Sequence, residues 1–271
     1  FVERVLLKYA QECTSIDVSF STELLEFEQS NDCVVASYKH QKSSTPKQIQ
    51  AKFLIGADGA QSLVRRSLRK KLEGEFGKKR HFMGGRMYAV YLRCEDFYRV
   101  TKTKPAWMHW TFNQNRRAFM AAVDGLGEFA FHTQLSEQEQ EDQITDDKAK
   151  RLFWEAVGVE IECQILSHMP WTAGHAAVSN SFIEGRVLIG GDAAHLFTPT
   201  GGLGYNTAVE DAVNLGWKIA HVIGGQASEN LLQSYEHERR QTALRNTQYA
   251  RKFADSIGNF IPHDDIESQN K

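Results

Sequence analysis

Two rhythms of apolar and polar positions alternate along the chain. Residues 1–11 place Val2, Val5, Leu6 and Tyr9 on one helical face. Residues 18–27 and 33–38 read as strands joined by a turn at Ser30-Asn31-Asp32. A polar loop from Lys39 to Lys47 follows, and 48–55 returns as one strand that ends in Gly56-Ala57-Asp58-Gly59. Past Ser62, the spacing of Leu63, Val64 and Leu68 is helical. Strand-like runs then occupy 86–93, 106–112, 117–123 and 128–132, with a hairpin-type turn at Asp124-Gly125. Residues 147–157 read as helix and 160–171 as strand. Val187-Leu188-Ile189 is a short run of the kind a buried strand shows, and it stops at Gly190-Gly191. Asn206 opens a helix with Ala208, Val209, Ala212, Leu215 and Ile219 at helical spacing, ended by Gly224-Gly225. Residues 230–257 form one or two helices with Leu231, Leu232, Tyr235, Leu244 and Phe253 inward. The tail from Pro262 is polar, as frayed ends are.

The chemistry concentrates where the run 187–189 ends. Asp192 follows the two glycines, so a carboxylate stands at the exposed end of a buried strand. Such a group can hydrogen-bond a sugar-like hydroxyl, and glycine lets a ligand approach the backbone. Pro199-Thr200-Gly201-Gly202-Leu203-Gly204 is a loop of little bulk, and Tyr205-Asn206 lead into the helix. A glycine-rich loop feeding a helix start offers unpaired N–H groups and a partial positive charge, a seat for an electron-rich ring edge. Upstream, the strand ending at Asp58-Gly59 meets Ser62, a good N-cap type, and Arg65 one turn later. A helix start with a fixed positive charge can receive phosphate.

These two stretches resemble motifs of the FAD-dependent aromatic hydroxylases, the single-component flavoprotein monooxygenases. The resemblance implies that Asp192, after Gly191, holds the flavin ribityl chain. It implies that Pro199, Gly201, Gly202, Leu203, Gly204, Tyr205 and Asn206 lie along the isoalloxazine. Asp58, Gly59 and Arg65, in the order Asp-Gly-x-x-Ser-x-x-Arg, match the family's Asp-Gly motif. There the aspartate sits near the FAD pyrophosphate and the arginine is associated with NADPH use. The run Ser234-Tyr235-Glu236-His237-Glu238-Arg239-Arg240 is similar to the helix that follows the flavin domain. The family's first motif, GxGxxG on a βαβ unit, has no counterpart in the chain.

Composition narrows the remaining classes. The chain has 271 residues, 41% hydrophobic and 24% charged, so it can bury a sizeable core. A net charge of -2 gives no general pull toward nucleic acid or acidic membranes. The four cysteines lie far apart, without metal-ligand spacing, which suits reduced thiols and a cytoplasmic location. His109, His132, His168 and His175 have no ligand spacing to one another either, so no metal is expected. No apolar run approaches the ~18 residues of a spanning helix. The chain starts at Phe1, inside a helical pattern, so an N-terminal truncation is expected.

The fold expected is α/β (α+β): a Rossmann-like FAD-binding domain lacking its first βαβ unit, with an inserted mixed β-sheet substrate domain. Residues 1–80 and 179–271 would make the FAD-binding domain, and 81–178 the β-rich substrate domain. The implied function is hydroxylation of a phenolic or other aromatic substrate, with FAD as cofactor, NADPH or NADH as cosubstrate, and O2. Arg93 and His81 are candidate pocket groups, and no catalytic residue is assigned. Two alternatives stand beside this reading: a truncated, inactive flavin-fold remnant, and a related flavin epoxidase or oxidoreductase. A homodimer is left open.

Overall fold

The computed structural model describes residues 2–260. Helix α1 (Val2–Glu12) carries the expected apolar face, but Val2, Val5, Leu6 and Tyr9 are all exposed. Strands β1 (Thr22–Gln29), β2 (Val34–His40) and β3 (Lys47–Ala51) then form an antiparallel meander. The run 48–55 is two strands rather than one. Past Ala51 the chain leaves the meander, and β4 (Leu54–Gly56) joins a different sheet. The meander half is fully exposed while Gly56 is buried, so the run has no single face to follow. Helix α2 (Leu63–Ser67) starts on Ser62, whose Oγ accepts the Arg65 N–H at 2.9 Å. This is the cap that the sequence predicts, of the kind typically worth ~1 kcal/mol.

After β5 (Leu72–Glu75) comes the largest sheet. Its strands are β6 (Gly85–Arg93), then, beyond the short helix α3 (Phe97–Thr101), β7 (Met108–Phe112), β8 (Arg117–Ala122) and β9 (Glu128–Gln134). Helix α4 (Asp146–Val157) precedes the fifth strand, β10 (Gln164–Ala173). The order is β10-β6-β9-β8-β7, and every pairing is antiparallel where a mixed sheet was expected. Odd and even positions part cleanly across it, as the period of a strand requires. Tyr88, Val90, Leu92, Phe129 and Phe131 pack with Leu152 and Phe153 of α4. On the opposite face Met87, Phe112, Phe119 and Trp171 pack against Phe82, with His132 stacked on Phe119. Trp107 and Trp110 stay exposed, so the aromatic crowding of this region is only partly core.

The last third returns through β11 (Ala176–Ser179), β12 (Ile183–Glu184), β13 (Val187–Ile189) and β14 (His195–Leu196) to two long helices. Val187, Leu188 and Ile189 are each 0% exposed, a burial of ~1.5–3 kcal/mol per side chain. Helix α5 (Leu203–Ile223) starts three residues before Asn206, and α6 (Asn230–Gly258) is one unbroken helix. The inward faces differ from the pattern read above. On α5 the buried positions are Thr207, Asp211, Leu215 and Lys218, and Val209 is exposed. On α6, Leu232 and Tyr235 are buried, but Ala243, Ala250, Ala254 and Gly258 continue the inner face, while Leu244 and Phe253 point outward. Close helix packing selects small residues over large ones, and the charged inward residues all have partners. The expected frayed tail from Pro262 lies outside the described residues.

Candidate functional site

Two parallel strands bring the separated motifs together. β4 pairs with β13 in the register Leu54–Val187, Ile55–Leu188, Gly56–Ile189, a parallel pairing that puts both C-terminal ends side by side. The Gly190 N–H continues the ladder to the Gly56 carbonyl at 3.0 Å. In open α/β sheets, ligands bind outside the carboxyl ends of the strands. Here those ends border a cleft of about 530 Å³. Ile55, Ala57 and Gly59 line one side, Gly190, Gly191 and Asp192 the next, and Tyr205, Ala208 and Ala212 of α5 close it. Asp192 is exposed at the rim, while Ala193 and Ala194 behind it are fully buried. A Cβ added at Gly59 or Gly202 would meet nothing within 4 Å, so the backbone at both is open to a ligand.

The loop before α5 is shaped by its glycines. Gly201 (φ 82°) and Gly202 (φ 63°) are both left-handed, a conformation that costs glycine little and other residues more. The Asn206 amide donates to the Gly202 carbonyl at 2.7 Å, closing the first turn. Thr200 Oγ1 donates to the Ala250 carbonyl at 2.7 Å and ties the loop to α6. The first N–H groups of α5, from Leu203 on, have no carbonyl one turn earlier in the helix.

Of the residues singled out from sequence, Gly59, Gly191, Asp192 and Tyr205 line the cleft itself. Pro199, Gly201, Gly202, Leu203, Gly204 and Asn206 build the loop and first helical turn beside it. Asp58 faces a neighbouring hollow that shares Ile55 and Ala57 with the cleft, and its carboxylate accepts the Val64 N–H at 3.1 Å. Arg65 is placed differently from a free cation. It is 6% exposed, and its guanidinium donates to the Ala193 carbonyl at 2.8 Å and the Ala60 carbonyl at 2.7 Å. It therefore ties the Asp-Gly turn to the Gly-Asp turn. Arg93 is paired with Glu128 on the large sheet and His81 is exposed; neither lines the cleft.

The sequence reading missed a buried polar cluster behind the cleft. Asp211 accepts from Gly191 N–H at 3.0 Å, His195 Nε2 at 2.6 Å and Arg239 Nε at 2.7 Å. Tyr235 Oη, also buried, donates to the Ile189 carbonyl at 2.7 Å. Burial alone would raise the Asp211 carboxyl, but the hydrogen bond and charge of His195, with Arg239 and the Gly191 N–H, hold it below the usual carboxylate range. The available signal was the polar spacing Thr207, Asp211, Lys218 on the helix.

Comparison with known proteins matches residues 1–250 to a family described as FAD binding domain. The chain belongs to that family. It is 32% identical over 230 residues to a putative polyketide hydroxylase of Streptomyces coelicolor, covering 84% of this chain and 36% of that protein. It is 29% identical over 273 residues to the 2,4-dichlorophenol 6-monooxygenase of Delftia acidovorans, covering 96% of this chain and 44% of that one. Among solved structures, the rebeccamycin biosynthetic enzyme RebC with reduced flavin superposes at TM-score 0.75 and 27% identity, over 90% of this chain and 45% of that chain. The flavin-dependent monooxygenase PieE, in complex with FAD and substrate, shares the fold at TM-score 0.83 and 24% identity, over 93% of this chain and 43% of that one. The chain thus spans less than half the length of these relatives. Among the described residues, no helix is long and apolar enough to cross a membrane.

Proposed function

We propose that the chain is the flavin-holding part of an FAD-dependent monooxygenase that hydroxylates a phenolic or other aromatic substrate, using NADPH or NADH and O2. The observation that carries this is the parallel pair β4–β13, which delivers Gly59, Gly191 and Asp192 to one cleft beside a left-handed glycine loop. An exposed carboxylate and open glycine backbone suit a cofactor with a polyol chain and a flat ring. FAD would supply the redox chemistry, accepting hydride from the nicotinamide and activating O2.

The protein's own part is to bind and orient. Asp192 would accept hydrogen bonds from the ribityl hydroxyls, and the loop from Pro199 to Asn206, with the first N–H groups of α5, would hold the flavin ring. Asp58 and Gly59 would hold the pyrophosphate. Arg65 serves the same site as a brace between its two turns. Residues 81–178, which contain the five-stranded sheet, form the substrate-binding unit, with 1–80 and 179–271 as the flavin-binding unit. Four unpaired cysteines suit a cytoplasmic location.

Titration with FAD, followed by flavin absorbance, tests it. Asp192→Ala should weaken FAD binding by about tenfold or more, as loss of a charge-assisted hydrogen bond implies, and by more than Asp58→Ala does. Equal affinity in wild type and Asp192→Ala would remove Asp192 from the site. Flavin reduction by NADPH or NADH should accelerate with a phenol present; rates indifferent to phenols would favour a related flavin oxidoreductase.

A further inference from the structure

The carboxylate of Asp211 is 2% exposed and joins three parts of the chain. Its Oδ2 takes the Gly191 N–H, in the turn after β13, at 3.0 Å and His195 Nε2, on β14, at 2.6 Å. Its Oδ1 takes Arg239 Nε, on α6, at 2.7 Å. A second guanidinium nitrogen of Arg239 is engaged too: Nη2 donates to Glu210 Oε2 at 2.9 Å and to the Thr207 carbonyl at 3.3 Å. His195 is 0% exposed, and its Nδ1 has no partner. Because a carboxylate only accepts, His195 Nε2 carries a hydrogen.

The turn is pressed onto this cluster. A Cβ at Gly190 would stand 2.9 Å from Tyr235 Oη and 3.6 Å from Asp211 Cβ. Gly191 is left-handed, at φ 59°, with its N–H captured by Asp211. The next residue is Asp192, exposed at the cleft rim. One captured peptide therefore fixes the backbone from which Asp192 projects. A carboxylate that accepts three hydrogen bonds, two of them from side chains of other elements, holds that peptide far more rigidly than water could.

We propose that Asp211 is a positioning residue of the cofactor site: held between His195 and Arg239, it clamps the Gly191 peptide and so sets the direction in which Asp192 meets the FAD ribityl chain. The inference rests on the reading of Asp192 as the ribityl ligand. It adds a cluster outside the two motifs, and it makes α6 part of the cofactor site through Arg239.

The test is FAD titration of the 271-residue chain and its variants, with the Gly191 amide followed by ¹⁵N–¹H NMR. Asp211→Asn should weaken FAD binding about tenfold and move the Gly191 amide to faster exchange, with circular dichroism unchanged. His195→Leu should do the same, and His195→Gln, which keeps a donor, should recover most of the loss. Wild-type affinity in Asp211→Asn, beside reduced affinity in Asp192→Ala, would overturn the positioning role and leave the cofactor reading standing. Wild-type affinity in both variants, or no FAD binding by the wild type, would overturn the cofactor reading and this inference with it. Should Asp211→Asn fail to fold, the His195 pair decides: equal loss in His195→Leu and His195→Gln would reject the clamp.

Discussion

Arg65 shows what a single residue's surroundings can do to a reading made from spacing. Its place one turn after Ser62 was legible, and the cap on Ser62 forms as expected. Its partners were not legible, because the Ala193 carbonyl belongs to a distant turn that only the β4–β13 pairing brings near. Arg65→Met should therefore lower stability first. Two hydrogen bonds to a charged donor are lost, typically ~1.5–3 kcal/mol each at most, and two carbonyls are left unpaired. A fall in melting temperature on the order of 10 °C is expected. An unchanged melting temperature with a raised KM for NADPH would show that the residue serves the dinucleotide instead. His132 carries a second prediction at this scale. Stacked on Phe119 and edge-on to Trp171, it is half-buried, and the loss of solvent around the ring pushes its pKa down to about 4. The unfolded chain keeps the ordinary value of roughly 6.5. Between these values the unfolded state takes up a proton that the folded state refuses. Stability is therefore full above pH ~6.5 and falls by up to about 3 kcal/mol as pH drops toward 4. Urea unfolding across that range should show the slope in wild type and lose this part of it in His132→Phe. An identical slope in both would mean the ring is not kept neutral by burial.

The helices mark where sequence pattern stops being a guide to packing. α5 and α6 were both found, at nearly the right bounds, because their periodicity is long. Their buried faces are only partly legible: Leu215 on α5 and Leu232 and Tyr235 on α6 are buried, but hydrophobicity does not point to Thr207, Asp211 and Lys218 or to the small residues of α6. Asp211 and Lys218 face inward on α5 because each has a charged partner, Arg239 and Glu238, on α6. A paired charge can be buried where a lone one cannot. On α6 the inner face thins to alanine and glycine because other backbone comes close. A Cβ at Gly258 would lie 2.5 Å from the Phe82 carbonyl oxygen and 2.7 Å from Arg80 Cδ. Gly258→Ala should then cost about 1–3 kcal/mol, the usual range for overpacking. Gly216, inside α5, has nothing within 4 Å of the corresponding position. Gly216→Ala should stabilise by roughly 0.5–1 kcal/mol, through helix propensity alone. Thermal melts of the two variants should shift in opposite directions. Destabilisation of both by a similar amount would mean that glycine is needed on α5 for a reason that its packing does not show.

At the scale of the whole molecule, α1 and α5 turn apolar side chains outward among the described residues. The α1 face of Val2, Val5, Leu6 and Tyr9 was read correctly as a stripe, but a stripe alone does not say what it meets. The described residues leave it exposed. On α5 the positions Tyr205, Val209, Val213 and Trp217 recur every fourth residue and are all exposed, Val213 at 65%. That line was invisible in the sequence, because the same helix supplies enough apolar positions to suggest a face turned the other way. Scattered apolar side chains are ordinary on a protein surface, but a contiguous row along a helix of this length is not. The chain on its own should therefore self-associate, with the α5 row as the contact. Replacing Val209 and Val213 together by lysine should shift it toward monomer. The melting temperature should barely change, since both side chains are exposed and surface changes usually fall within ±0.5 kcal/mol. Size-exclusion chromatography with light scattering, run over a wide range of concentration, reads the outcome directly. A wild-type chain that stays monomeric throughout would show that the exposed row is tolerated. Association that survives the double lysine variant would move the contact to α1.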